Sequence, residues 1–307
     1  MDIDTTTKAD LISALQNTAL LCGLRTRALG LQRTHKSASA EVTTQHKATI
    51  NAVTVRVNRL ADADTYHRKL VGLQNNMRKL FETHTLPWDG AGGWRLLPNA
   101  SFLKLAGLVN PLQKEIALCI EEYREKAPEI IAKARANLGD LALEIALPTV
   151  EELSTAYEAR LEFGSIPDTK ALKNLPPAIT GKLAQHMQTR AQTAYDAALD
   201  DINNRMVKPL QHLIERLDAF EEREGREKME GVRDLQGVFR DTTVSNITEL
   251  ADVLPTLNVL GDHNTTEAVN AVVELAGSIT AESLRASRER RDAARAKAAS
   301  ILAGMGS

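Results

Sequence analysis

Two apolar stripes constrain this chain more than anything else in it. Leu112, Ile116, Cys119, Tyr123, Ala127, Ile130, Ala134 and Leu138 recur at spacings of three and four. Ala198, Ile202, Met206, Leu210, Leu213, Leu217 and Phe220 do the same. That period puts each set on one face of an α-helix. The first stripe predicts one long helix ending near Gly139, a natural residue for a helix end. The second predicts a helix over Thr180–Glu224, on the order of 65 Å long at ~1.5 Å per residue. A rod of that length pairs with another long helix, in the same chain or a second one. Pro128 and Pro209 interrupt the stripes without ending them, so each predicts a kink where a backbone hydrogen bond is lost.

Aromatic residues make up only 4% of the 307 residues, so the core must be mostly Leu, Ile, Val and Ala. Such a core suits helix packing better than a β-sandwich. The expected fold is therefore mainly α, with long kinked helices in an elongated bundle. Shorter helices are expected around Lys8–Cys22, Val232–Arg240, Ser245–Leu254, Thr266–Ala276 and Ala281–Ala303. Two helical stripes, Ile50, Val53, Val57, Leu60 and then Leu70, Leu73, Met77, Leu80, flank a break at Asp62–Thr65. "GLRTRALGLQR" alternates roughly like a strand, and "THKSASAEVTTQ" reads as a loop. Thr149 and Glu152 form a capping box ahead of a helix carrying Leu153, Ala156, Tyr157 and Leu161. "LEFGSIP" after it alternates like a short strand, so small antiparallel β elements are expected around 86–98 and 160–167. "IPDTKALKNLPPA" is the best linker, which divides the chain into 1–170 and 171–307.

The net charge of −2 gives no global drive toward nucleic acid or membrane. Its distribution is uneven. Between Cys22 and Leu70 lie Arg25, Arg27, Arg33, Lys36, Lys47, Arg56, Arg59, Arg68 and Lys69, against Glu41, Asp62 and Asp64. Between Asp241 and Glu282 there are seven acids and no Lys or Arg. The two segments are complementary, within the fold or between subunits. Two cysteines, Cys22 and Cys119, are too few for a disulfide framework and imply a reduced, cytoplasmic setting. The polar start "MDIDTTTKAD" is no signal peptide, and no apolar run reaches the ~20 residues of a membrane span.

The stretch "LPWDGAGGWRLLP", Leu86–Pro98, holds both tryptophans. As structure, Trp88 and Trp94 clasp across a hairpin whose glycines supply positive φ. Pro87 places its strand at an edge, and Pro98 ends the hairpin before Asn99 starts a helix. As a site, the glycine amides and Arg95 would face an anion, or His84, Asp89 and Arg95 would form an acid-base set. The stretch lacks GK[ST] and is no P-loop. His35, His46, His67, His84, His186, His212 and His263 make no zinc spacing, and no G-x-S-x-G or GxGxxG is present. The structural reading leads, with no cofactor and no catalytic residue expected. Trp88, Trp94 and Arg95 remain candidates for contact with a partner.

"FETHTLPWDGAGGWRLLPNASFLKL" resembles the centre of a family of phage and bacterial proteins known as a domain of unknown function. "ANLGDL" and "ELADVLPTLNVLGD" are similar to that family's later landmarks. The resemblance covers about residue 45 to Asp262. Genes of the family stand near a MoxR-type AAA ATPase and a von Willebrand A-type protein, so it implies an AAA ATPase as a partner. It implies no activity. The tail departs from the family in being rich in alanine and arginine. There Arg285, Arg288, Arg291 and Arg295 share one broad arc, with Asp292 among them. Either they are laced into i, i+3 and i, i+4 pairs, or they form an arm for phosphate backbone or an acidic protein surface.

Together these features predict a non-enzymatic helical scaffold or adaptor that self-associates or docks on a protein. Nucleic-acid binding through the basic N-terminal region and the arginine tail is the alternative.

Overall fold

The computed structural model describes residues 8–49, 52–60, 65–88, 93–167, 176–230 and 240–305. The protein is mainly α, with a small amount of antiparallel sheet. In chain order its elements are α1 (Lys8–Thr18), β1 (Ala19–Arg27), β2 (Gln32–Thr34), α2 (Lys36–Gln45), β3 (Arg56–Asn58), α3 (Thr65–His84), β4 (Leu86–Pro87) and β5 (Trp94–Pro98). Then come α4 (Asn99–Leu138), α5 (Leu141–Glu144), α6 (Val150–Thr155), β6 (Glu158–Gly164) and α7 (Pro177–Glu230). The chain closes with α8 (Asp241–Leu257), α9 (His263–Ser278), α10 (Ala281–Ala286) and α11 (Arg288–Met305). Among the described residues no helix is long and apolar enough to cross a membrane.

The chain forms two compact units, and neither is a continuous piece. The first comprises Met1–Gly23, Glu82–Lys104 and Phe163–Ser307; the second comprises Leu24–Phe81 and Leu105–Glu162. A single cut near residue 170 does not describe this grouping, because segments on its N-terminal side enter both units.

The first unit is built on α7, a 54-residue helix. Its buried face runs Ala191, Ala194, Ala198, Ile202, Met206, Leu210, Leu213, Leu217 and Phe220. Ile12 and Leu15 of α1, Ile247 and Leu254 of α8, Val272 and Leu275 of α9, and Ala298 and Ile301 of α11 complete the same core. The stripe read from the sequence is thus covered within the chain, by several shorter helices rather than by one long partner. Pro209 lies inside α7, as Pro111 and Pro128 lie inside α4, so the prolines interrupt neither helix.

The second unit buries the other stripe. Ile116, Cys119, Tyr123, Ala127, Ile130 and Ala134 of α4 pack with Leu70 and Leu73 of α3 and with Leu60, Leu153 and Tyr157. Tyr123 is fully buried, stacked on Tyr66 at 5.3 Å between ring centroids and tilted against Tyr157 at 5.9 Å. Buried Gln74 donates to the carbonyls of Arg27 and Glu158, tying down the ends of β1 and β6.

Several expectations need correction. The first helix stops at Thr18; Ala19 and Cys22 belong to β1, where they pair with Pro98 and Arg95 of β5. "THKSASAEVTTQ" is a helix, α2, capped by His35, whose side chain accepts from the Ala38 N–H. No α2 residue is buried, so it has no apolar stripe to be recognised by. Val57 lies in strand β3, paired with Arg33 of β2; the alternation of Val53, Val55 and Val57 outweighs their helical spacing. Ile50, Asp62, Asp64, the 168–175 part of the linker and Val232–Phe239 of the expected Val232–Arg240 helix lie outside the described residues. The Thr149–Glu152 capping box is present, but its helix ends at Thr155 and β6 begins at Glu158. The last expected helix is two, separated at Ser287 by an extended backbone. The four-stranded sheet has the order β4-β5-β1-β6, so the hairpin and the 158–164 strand are joined through β1.

Each unit carries one buried cysteine, Cys22 in the first and Cys119 in the second. Burial pushes the Cys22 thiol up to about 12. That shift cuts the reactive thiolate roughly a thousandfold. Native protein should therefore react with a thiol reagent far more slowly than denatured protein. With Cys119→Ser and Cys22→Ser variants, each remaining thiol should become reactive only when its own unit opens, read as labelling rate against denaturant.

Candidate functional site

The tryptophan stretch is assembled by β4, β5 and the middle of α7, all within the first unit. Leu86 pairs with Leu96, and Pro87 with Arg95, placing β4 at the sheet edge where a missing N–H costs nothing. Gly93 has φ +68°, a left-handed turn that glycine adopts freely. Asp89, Gly90 and Gly92 lie outside the described residues. The two tryptophans go to different neighbours. Trp88 is buried, with the Arg190 guanidinium 5.7 Å from its ring centroid. Half-buried Trp94 lies over Gly23 and Gly164, where an added Cβ would come within 3.5 Å of the ring. Among the described ring pairs there is none between the tryptophans, so the clasp is replaced by two separate anchors.

Arg95 turns inward. Its Nε donates to Thr85 Oγ1 at 2.7 Å and its Nη2 to the Thr85 carbonyl at 3.1 Å. Arg205 of α7 works beside it. Its Nη1 donates to the Thr83 carbonyl, and its Nη2 donates to those of Glu82 and Thr85, while its Nε donates to Asp201 at 2.9 Å. These carbonyls end α3, where a helix leaves its last acceptors without internal partners. The two arginines satisfy them and add cationic charge at the negative end of the helix dipole. Burial lowers the Arg95 pKa below the usual arginine range; Asp201 opposes this and Arg205 reinforces it. His84, the last residue of α3, is buried, and its Nδ1 has no hydrogen-bond partner among the described residues. Burial chiefly, then the charges of Lys104 and Arg205, lower its pKa below the ordinary 6.5. His84 and Arg95 therefore both lie among cations at the end of α3.

The arginine tail is folded onto the same unit. The Arg291 side chain is 4% exposed, lies 5.0 Å from the Phe220 ring centroid and donates to the Leu284 carbonyl. Its Nε lies 3.5 Å from Glu221, and Arg295 lies 2.7 Å from Asp218 and 3.2 Å from Glu221. Arg285 pairs with Asp241, and Lys297 with Glu274. Burial alone would raise the Glu221 carboxyl, but Arg295, Arg291 and Arg288 hold it below the usual range. Arg288 is the outlying member, 78% exposed, with contacts of 4.0 Å to Glu221 and 3.9 Å to Asp292. The Arg288–Asp292 and Arg295–Asp292 pairs have the expected helical spacing. The acids that engage the tail come from α7 as well as from Asp241–Glu282.

No protein-family model matches the chain, and no curated protein and no solved structure is detectably similar to it. The site must speak through its own geometry.

Sequence reasoning missed Arg205, Asp201, Thr85 and Arg190. The Asp201–Arg205 spacing of four was visible as a helix pair, but nothing local says that it caps another helix. It also missed the exposed beginning of α7. Ile179, Leu183, Met187 and Ala191 recur every four residues, leading into the buried stripe. Ala191 is buried and Met187 half-buried, but Leu183 is 38% and Ile179 49% exposed.

Two outcomes follow from these contacts. Arg291→Ala leaves two carbonyls and Glu221 short of a charged donor, and should cost about 1.5–3 kcal/mol in urea unfolding. Arg288→Ala should stay within about 0.5 kcal/mol. For His84, a folded-state pKa below the unfolded one means that the unfolded chain binds the proton first. Stability is then full above pH 6.5 and falls as the pH drops from there toward the folded value. His84→Gln should flatten that part of the stability profile.

Proposed function

We propose that this protein is a non-enzymatic helical adaptor that docks on a partner protein through the beginning of α7. One observation carries the reading: the apolar stripe of α7 outruns the helices that cover it. Between Ala191 and Phe220 the stripe is core. Before Ala191 apolar residues continue at a spacing of four through Met187, Leu183 and Ile179, winding gradually off the buried face and increasingly into solvent. An amphipathic helix laid along this ridge would extend the bundle by the packing that already builds it.

Charge selects the kind of helix. Lys182, His186 and Arg190 flank the stripe, and no acid occurs from Pro177 to Tyr195. Two copies meeting through this segment would set cations against cations. An acidic amphipathic helix on a different protein meets them with opposite charge. The family resemblance makes a MoxR-type AAA ATPase the first partner to test, with the protein acting in the cytoplasm of a bacterial host.

A photo-crosslinking residue at Leu183, in cells that naturally make the protein, tests this. The expected result is one dominant adduct with a different protein, weakened by Ile179→Asp or Lys182→Glu. A control crosslinker at exposed Gln185, well around the helix, should give little. Equal labelling from both positions would overturn the reading. An adduct with a second copy would replace partner docking by self-assembly.

A further inference from the structure

The basic N-terminal segment has a different fate from the basic tail. Three of its arginines are engaged within the second unit. Arg25 pairs with Glu162, Arg27 donates to the Thr155 carbonyl, and buried Arg59 donates to the Ala146 carbonyl and lies 3.5 Å from Glu152. Arg33, Lys36 and Arg56 are exposed and make no ion pair among the described residues. The fold brings the backbones of these three together, with Arg33 and Arg56 on opposite faces of the ribbon because successive strand residues alternate. Arg33 pairs with Val57, Thr34 pairs with Arg56, and Lys36 follows two residues later as the first residue of α2. With strands ~5 Å apart and ~3.3 Å per residue, their Cα atoms lie within about 10 Å of one another. That is about one Debye length at physiological salt, so the three act as one field.

The support is stiff. The His35 N–H donates to the Val55 carbonyl, the Val55 N–H to Ser39 Oγ, and the Arg59 N–H to the Leu31 carbonyl. The nearest carboxylate recorded at the start of α2, Glu144, is held by Ser37 and sits 3.5 Å from His35. Glu41 is the only acid from Leu24 to Leu60. Lys47, at the other end of α2 with φ +49°, adds a fourth exposed cation roughly 15 Å away along the helix.

We infer that the β2–α2–β3 ribbon of the second unit is a phosphate-backbone contact for double-stranded nucleic acid. The ribbon lies in the groove, where Arg33 and Arg56, on its opposite faces, meet the two phosphate strands; Lys36 stands beside them and Lys47 is an outlying contact. A rigid ribbon with several unpaired cations gives sequence-independent, salt-sensitive attraction to a polyphosphate. No aromatic residue occurs from Leu24 to Leu60, so base stacking has no platform there and a duplex is favoured over a single strand. In the tail, by contrast, Arg285, Arg291 and Arg295 are engaged in ion pairs of their own.

Fluorescence anisotropy of the full chain with a labelled 30-base-pair DNA duplex tests the inference. With three to four phosphate contacts, affinity should fall about 40- to 150-fold between 50 and 200 mM salt. Arg33→Ser/Lys36→Ser/Arg56→Ser should remove most of that dependence while leaving the urea midpoint unchanged, since the three are exposed and unpaired. Arg33→Lys/Arg56→Lys should retain binding, because a point charge suffices. Arg288→Ser and Leu183→Asp should leave DNA binding unaltered, which separates this surface from the tail and from the docking ridge. No binding at 50 mM salt, tighter binding to the single strand of the same sequence, or a salt dependence unmoved by the triple substitution would each overturn it.

Discussion

Hydrophobic burial along one face of α7 is the constraint on which the first unit depends. Nine side chains from Ala191 to Phe220 face inward, and they gather helices distant in sequence into one core. In a folded protein most helical stability comes from packing an amphipathic face, and this holds for the 54 residues of α7. That helix is long because α1, α8, α9 and α11 each cover part of it. The alanines at 191, 194 and 198 leave room for close backbone approach, while Ile202 to Phe220 supply bulk farther on. Where cover ends, the stripe does not, and the exposed remainder at Ile179 and Leu183 carries the functional reading.

The tryptophan hairpin depends on that helix too. Arg205 projects from α7 onto the end of α3, and Arg95 comes to the same carbonyls from β5. A helix end, a strand and a rod are thereby held by a few charged hydrogen bonds. Two arginines share Asp201 as their ion-pair partner, which leaves an excess of positive charge at a partly buried place. Burial, with Lys104 and Arg205 nearby, lowers the His84 pKa below the ordinary 6.5 there. Of the residues that looked like chemistry in the sequence, Arg95 is arranged as an anchor: its hydrogen bonds go to Thr85.

What was legible in the sequence follows from where the burial is. Both long helices announce themselves because every turn contributes an apolar side chain to one seam. The hairpin was legible because proline and glycine restrict the backbone locally. Helix α2 was not, since it buries nothing and is held by caps, His35 at one end and Ser39 against Val55. The β2–β3 pair was misread because valines at 53 and 57 fit a helical spacing while 53, 55 and 57 fit a strand, and only the partner Arg33–Thr34 decides between them. The discontinuous units were invisible for the same reason: pairing of Ala19 with Pro98 spans a long stretch of chain that no local pattern reports.

Charge density was the least reliable guide to a binding surface. The tail is the most arginine-rich helix of the chain, yet its buried member Arg291 reaches Glu221 and two carbonyls, and Arg295 reaches Asp218. The carboxylates Glu221 and Asp218 lie some seventy residues away, beyond any helical spacing. The ribbon has fewer cations, but Arg33, Lys36 and Arg56 make no ion pair among the described residues, and nearby Glu144 accepts from Ser37 instead. Attraction for an external polyanion depends on what the fold leaves uncompensated, because an internal carboxylate competes at far higher effective concentration than any phosphate in solution. By that criterion Arg33, Lys36 and Arg56 outrank Arg285, Arg291 and Arg295.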